Sequence, residues 1–187
     1  MKQSEVNQLC REATACLHEN LWALPPKPRW AATDFGLGDF RRFGLVEVLL
    51  ANEREYCEKI MYAAEGMATP AHTHGDKKED IICRSGSLRL TLWNENPHTT
   101  PPAGEVTTVV NGEPRTLASG GSFSLAPGER ITLTPGVWHE FAPDAPGTLI
   151  GEVSTWCDEE KDNFFANPDV DIFHSIEPDE PAEFSGF

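Results

Sequence analysis

At 187 residues, with 39% hydrophobic and 24% charged side chains, the chain has the bulk of one soluble domain with a sizeable core and is short for two. Its 30 acidic and 15 basic residues leave a formal charge of −15, which repels phosphate backbones and argues against nucleic acid as a partner. The same charge disfavours a phosphorylated ligand unless lysines and arginines gather locally, whereas a neutral sugar is indifferent to it.

Residues 3–20 predict a helix. Val6, Leu9, Cys10, Ala13, Cys16, Leu17 and Leu21 recur at helical spacing, Ser4 is a plausible N-cap, and the apolar stripe suits a helix laid over the outside of a barrel. The opening MKQSEVNQLC lacks the apolar stretch of a signal peptide and no run reaches membrane-spanning length, so a cytoplasmic protein without a membrane partner is expected. Pro25, Pro26 and Pro28 end the helix and set an extended connector.

From Arg42 onward the pattern is that of strands: FGLVEVLLAN, EREYCEKIMYAAE and EDIICRSGSLRLTLWNE combine apolar runs with Gly and Asn breaks. Residues 94–105 form a proline-rich surface loop in which His98 is solvated. Asn111-Gly112 between two β-prone runs marks a hairpin, since both residues tolerate positive φ. GSFSLAPGERITLTPGVWHEFAPD adds two strands about a Pro127-Gly128 turn, and TLIGEVSTWC reads as the last strand of the barrel. Beyond Cys157 the chain turns acidic, yet Phe164, Phe165, Ile172, Phe173 and Ile176 argue that it folds back and packs. Roughly 8–10 strands without a βαβ rhythm predict an all-β barrel or sandwich. The expected organisation is an N-terminal helix and connector over 1–40, a barrel over 41–157 and a packed tail over 158–187. Cys10, Cys16, Cys57, Cys83 and Cys157 are odd in number and contain no C-x-x-C, which fits reduced thiols.

Chemistry concentrates in GMATPAHTHGDKKEDIICRSG, Gly66 to Gly86, with the spacing G-x5-H-x-H-x4-E-x6-G. His72 and His74, at i and i+2, share one side of an extended segment, and a turn at Gly75-Asp76 would bring Glu79 back beside them. His139, in TPGVWHEF, is the natural fourth ligand. Three imidazoles and a carboxylate suit Mn, Fe, Co, Ni or Zn, without the thiolates of structural zinc. An octahedral ion so held keeps two adjacent positions open, which the O1 and O2 of an open-chain sugar fit. A reaction that moves a proton on such a ligand also needs a base, and Glu152 is the first candidate: a carboxylate among Leu149, Ile150 and Val153 that, if inward and desolvated, would have its pKa raised toward neutrality.

The Gly66–Gly86 stretch resembles the first motif of the cupin superfamily, small β-barrels with a metal at the centre. The second motif is looser: Gly136 and His139 fit, Pro135 falls one place late, and Pro143 stands where the family has asparagine. Together with GEVSTWCDEEKDNFF at 151–165 and SIEPDEP at 175–181, HTHGDKKEDII at 72–82 is similar to the cupin-type D-lyxose isomerases over about the last two-thirds of the chain. The resemblance implies a single jelly-roll barrel with an N-terminal helix and an irregular C-terminal extension, a divalent metal (Mn2+ above all), and interconversion of D-lyxose with D-xylulose, extending to D-mannose and D-fructose. It places Lys77 in the substrate pocket beside the enediolate, assigns acid–base chemistry to Glu152, and makes Asp162 a candidate for a sugar hydroxyl or proton transfer. The same four ligands would serve an Fe-dependent cupin dioxygenase, and a non-catalytic sugar-binding cupin would keep the pocket without turnover. A cupin-type phosphoglucose isomerase ranks below these, because Arg84, Arg89, Arg115 and Arg130 are scattered along the strands. Sheet edges and the N-terminal helix make a homodimer plausible.

Overall fold

Two antiparallel sheets carry the fold of the computed structural model, which describes residues 1–172, 175–184 and 186. In chain order the elements are α1 (Gln3–Glu19), β1 (Trp30–Thr33), α2 (Phe40–Phe43), β2 (Leu45–Asn52), β3 (Cys57–Tyr62), β4 (His72–Thr73) and β5 (Glu79–Ser85). They continue with β6 (Leu88–Trp93), β7 (Glu105–Val110), β8 (Glu113–Ala118), β9 (Gly121–Leu125), β10 (Arg130–Leu133), β11 (Trp138–Pro143), β12 (Leu149–Ser154) and β13 (Phe164–Phe165). The larger sheet has the order β1-β2-β3-β12-β5-β10-β7-β8 and the smaller β13-β4-β11-β6-β9. Between β3 and β12 the chain passes repeatedly from one sheet to the other, as in the jelly roll of a cupin. Leu88, Leu90 and Leu92 of β6, Ile131 and Leu133 of β10, and Leu149 and Ile150 of β12 are fully buried in the core.

Helix α1 buries Val6, Leu9, Cys10, Ala13, Cys16 and Leu17 and packs on β2, β3 and β12, as its stripe requires. Two details differ from expectation. Ser4 lies inside the helix and bonds Asp179 through both its amide and its hydroxyl, while the backbone N–H of Lys2 donates to Glu5 at 2.8 Å. Leu21 is 92% exposed, because the chain has left the helix with Leu21 at φ 60°.

The connector after the prolines contains β1, which pairs with β2 at the edge of the larger sheet. The strands number thirteen among the described residues, above the expected count, because β4 and β13 have two residues each and residues 121–143 form three strands rather than two. The hairpin at Asn111-Gly112 joins β7 to β8 with φ of 53° and 87°. Gly86 also has a structural reason: at φ 74° it lies so close to Thr148 that a Cβ would collide with that side chain.

Register then sets the site. Glu152 on β12 is opposite Lys59 on β3 and Ile81 on β5, and two residues along Ser154 is opposite Cys57 and Glu79. Period-two alternation turns these two rows of side chains to the same face. A slip of β12 by one residue would send Glu152 to the other face and away from Glu79.

Candidate metal centre and sugar cavity

His72, His74, Glu79 and His139 converge. Their ligand atoms all lie within 4.8 Å of one another, and His72 on β4 is directly opposite His139 on β11. Each imidazole is fixed through its Nδ1, which faces a backbone carbonyl: Pro70 at 2.9 Å for His72, Asp162 at 2.7 Å for His74, and Val137 at 3.0 Å for His139. A carbonyl only accepts, so Nδ1 carries the proton and each Nε2 presents a bare lone pair, the arrangement that outer partners impose on metal-binding histidines.

The inward-facing atoms have no conventional partner. His74 Nε2, His139 Nε2 and Glu79 Oε1 are buried without a hydrogen bond, although Glu79 Oε1 stands 3.0 Å from His139 Nε2 and 3.4 Å from His74 Nε2. Acceptors crowded against acceptors in a buried pocket are repulsive until a cation joins them. Burial first, then the neighbouring His139 and His74, hold the His72 imidazole well below its usual range and hence neutral. Burial opposes the charge on Glu79, but the Lys77 ammonium 2.8 Å away prevails and holds its carboxyl well below the ordinary value. Neutral nitrogens and an ionised carboxylate are the protonation states that a divalent metal takes up, so the donor set fits such an ion.

Beside this cluster is a cavity of about 320 Å³ lined by both polar and apolar groups. Lys77 and Glu152 both line it. Lys77 Nζ lies 2.8 Å from Glu79 Oε2 and 3.1 Å from Glu152 Oε1, and Glu152 Oε1 also accepts from Ser154 Oγ at 3.2 Å. Glu152 is therefore buried beside an ammonium and a hydroxyl, in place of the purely apolar surroundings its sequence neighbours suggested. Burial works against the Lys77 charge, but Glu152 and Glu79 outweigh it and hold the ammonium well above its usual pKa.

Glu47, Lys59, Glu159 and Asn163 also line the cavity without having been singled out from the sequence. Lys59 bonds Glu159 and approaches Glu47 at 3.3 Å, and Asn163 Nδ2 donates to the Glu159 carbonyl at 3.2 Å. Despite its burial, Lys59 is held protonated by Glu47, Glu152 and Glu159. The local signal in EREYCEKIMY and GLVEVLL was only that of charged residues alternating along strands, a pattern that ordinarily marks a solvated face.

Asp162 is placed differently. Its carboxylate accepts from the backbone N–H groups of Gly75 (2.8 Å), Asp76 (3.0 Å) and Lys77 (2.8 Å), and it does not line the cavity. The expectation of a direct sugar contact is thereby replaced by one of positioning, since these oxygens are already engaged by the turn between His74 and Glu79. The tail folds back in part. Phe165 and Ile172 line the cavity and the Phe165 ring is 5.5 Å from that of His72, whereas Phe164 and Ile176 are exposed. Phe173 and His174 lie outside the described residues. His98 and His18 are exposed. The arginines stay away from the cavity: Arg89 pairs with Asp144, Arg130 with Asp80, Arg84 stacks over Trp22 and Arg115 over Phe123.

Comparison with known proteins gives a consistent set of relatives. The family model for D-lyxose isomerase matches residues 27–185. A D-lyxose/D-mannose isomerase of Escherichia coli O157:H7 is 36% identical over 165 residues, covering 82% of this chain and 72% of that protein. One from Serratia proteamaculans is 39% identical over 166 residues (83% and 72%), and one from Thermosediminibacter oceani is 29% identical over 190 residues (95% and 99%). Among solved structures, the L-ribose isomerase of Acinetobacter sp. DL28 in complex with L-ribose superposes with a TM-score of 0.65 at 15% identity, over 91% of this chain and 94% of that one. The ligand-free L-ribose isomerase of Cellulomonas parahominis gives 0.63 at 16% identity, over 90% and 93%. At these identities the structural likeness is one of fold.

Proposed function

The chain belongs to the D-lyxose isomerase family, and on that premise we propose that it is a metal-dependent aldose–ketose isomerase interconverting D-lyxose with D-xylulose and D-mannose with D-fructose. The two aldoses share their configuration at C2 and C3, so a pocket that reads those carbons accepts both. The observation that carries the reading is the position of Lys77, whose ammonium joins Glu79 of the metal cluster to Glu152 across the cavity floor.

His72, His74, Glu79 and His139 would hold the ion, with manganese as the expected native metal. A divalent cation there supplies Lewis acidity toward the sugar's carbonyl and hydroxyl oxygens. Glu152 takes the proton from C2, holds it in a site shielded from water, and returns it to C1 on the same face. Lys77 donates hydrogen bonds to the oxygen that gains charge during this transfer and fixes the orientation of the Glu152 carboxylate. Lys59, Glu47, Glu159 and Asn163 offer donors and acceptors to the distal hydroxyls, while Phe35, Met61 and Phe141 form an apolar wall for the carbon backbone. Both lysines are already matched by carboxylates, which suits a neutral sugar better than a phosphorylated one.

Incubating the Mn2+-loaded protein with D-lyxose and with D-mannose, and assaying ketose, tests the proposal. Formation of D-xylulose and D-fructose supports it; absence of turnover with every aldopentose and aldohexose contradicts it. A homodimer and a cytoplasmic location belong to the same reading and are tested by light scattering and by fractionation of the natural host. Among the described residues no helix is long and apolar enough to cross a membrane.

A further inference from the structure

Behind Glu152 stands a group of ligands unlike the histidine cluster. The Sγ atoms of Cys57 and Cys157 and a carboxylate oxygen of Glu152 all lie within 4.8 Å of one another, and all three residues are buried. Neither cysteine is in a disulfide. Cys157 Sγ also donates to Glu159 Oε1 at 2.9 Å, which brings a second carboxylate to the group. The hydrogen bonds that Glu152 receives from Lys77 and Ser154 both end on Oε1, leaving Oε2 for another partner. The pair is assembled by the fold: Cys57 opens β3, Cys157 follows β12, and those strands are neighbours.

We propose that Cys57, Cys157 and Glu152 form a second metal site, specific for a thiophilic divalent cation such as Zn2+ or Cd2+. Two sulfurs and a carboxylate oxygen make an S2O set that suits a thiophilic ion, whereas the histidine cluster is N3O and takes harder ions. Binding exchanges the two thiol protons, released to solvent, for one dication, so the local net charge is unchanged and the nearby Lys59 and Lys77 keep their carboxylate partners Glu47 and Glu79. Cys10, Cys16 and Cys83 are not part of this group, and Cys16 Sγ bonds the Gly147 carbonyl and Cys83 Sγ the Ser85 carbonyl. A cation in the dithiol site engages Glu152 and thereby stops isomerisation. That consequence rests on the role proposed for Glu152; the binding does not.

The test is a Cd2+ titration of the reduced, Mn2+-loaded protein, read by the ultraviolet thiolate-to-Cd2+ charge-transfer band and, in parallel, by ketose formation. The band is expected to saturate at one Cd2+ per chain, to vanish in both Cys57→Ser and Cys157→Ser, and to persist in His139→Gln. A band that survives in either serine variant, or no band at one equivalent in the wild-type chain, overturns the site. Where a serine variant fails to fold, Cd-edge X-ray absorption on the wild-type protein decides: sulfur neighbours support the site and a shell of nitrogen and oxygen alone contradicts it. Loss of turnover on saturation, reversed by a dithiol chelator, completes the account, whereas a saturated band with full turnover leaves the site standing and removes Glu152 from the reaction.

Discussion

Nδ1 of His74 lies 2.7 Å from the backbone carbonyl of Asp162, so a residue of the tail holds a residue of the histidine–glutamate cluster in its tautomer and orientation. The Asp162 carboxylate secures the same turn from the other side through the N–H groups of Gly75, Asp76 and Lys77. Asp162→Ala is expected to cost about 1–3 kcal/mol of stability and to weaken metal binding by about tenfold, as measured by thermal unfolding and Mn2+ titration. Burial pushes the Asp162 carboxyl up, but the three backbone donors outweigh it and hold it below its ordinary value. A depressed folded pKa contributes stability above the unfolded value of about 3.9 and loses it as pH falls through the folded one. The difference between wild type and Asp162→Ala should therefore be constant from neutrality to about pH 5 and shrink in stronger acid.

Glu152→Gln removes the proposed base while keeping its size. Turnover with D-lyxose should fall by about 10²–10⁴-fold, with the metal content of the purified protein unchanged. Wild-type turnover in the variant would exclude Glu152 from proton transfer, and a loss of metal would show that it acts on the ion's site instead.

Lys59→Met leaves Glu47 and Glu159 facing one another without their shared ammonium. Removal of one partner from a buried ion pair typically costs about 3–5 kcal/mol, and a loss of that order is expected on denaturant unfolding. Adding Glu47→Gln should restore at least about 1 kcal/mol, because one uncompensated charge disappears. Burial already pushes the Glu47 carboxyl up against the pull of Lys59. A raised folded pKa favours the protonated form in acid, so the deficit of Lys59→Met should be smallest at low pH and grow as pH rises through that value.

Chelation followed by dialysis should abolish turnover and lower the thermal midpoint, since a ligand present at 100 times its Kd stabilises the native state by about 2.7 kcal/mol. Adding back Mn2+ should restore both. An unchanged midpoint would mean that the unpartnered atoms of His74, His139 and Glu79 are not joined by an ion.

The metal cluster was legible in the sequence because three of its residues are local: the i, i+2 histidines and Glu79 across one turn are fixed by strand periodicity and a glycine. His139 needed only a second recognisable glycine turn, whereas Lys77 was implied by the family resemblance, its spacing to Glu79 serving only to choose it over Lys78. The distal half of the cavity was not legible. Glu47 and Lys59 lie on alternating strands where charge ordinarily faces water, and only the pairing of β2 with β3 and β3 with β12 brings them beside Glu152. The same nonlocal pairing hides the Cys57–Cys157 contact, which spans 100 positions of chain. The sequence does not show that the Asp162 oxygens are engaged by three backbone amides.

The most direct measurement is a crystal structure of the Mn2+-loaded protein soaked with D-xylulose, with anomalous data collected for manganese. The account predicts one anomalous peak bonded to Nε2 of His72, His74 and His139 and to Glu79, with the sugar's O1 and O2 on the ion and the Glu152 carboxylate facing C1 and C2. A peak elsewhere, or a ketose bound with its C1–C2 edge turned away from Glu152, would contradict it.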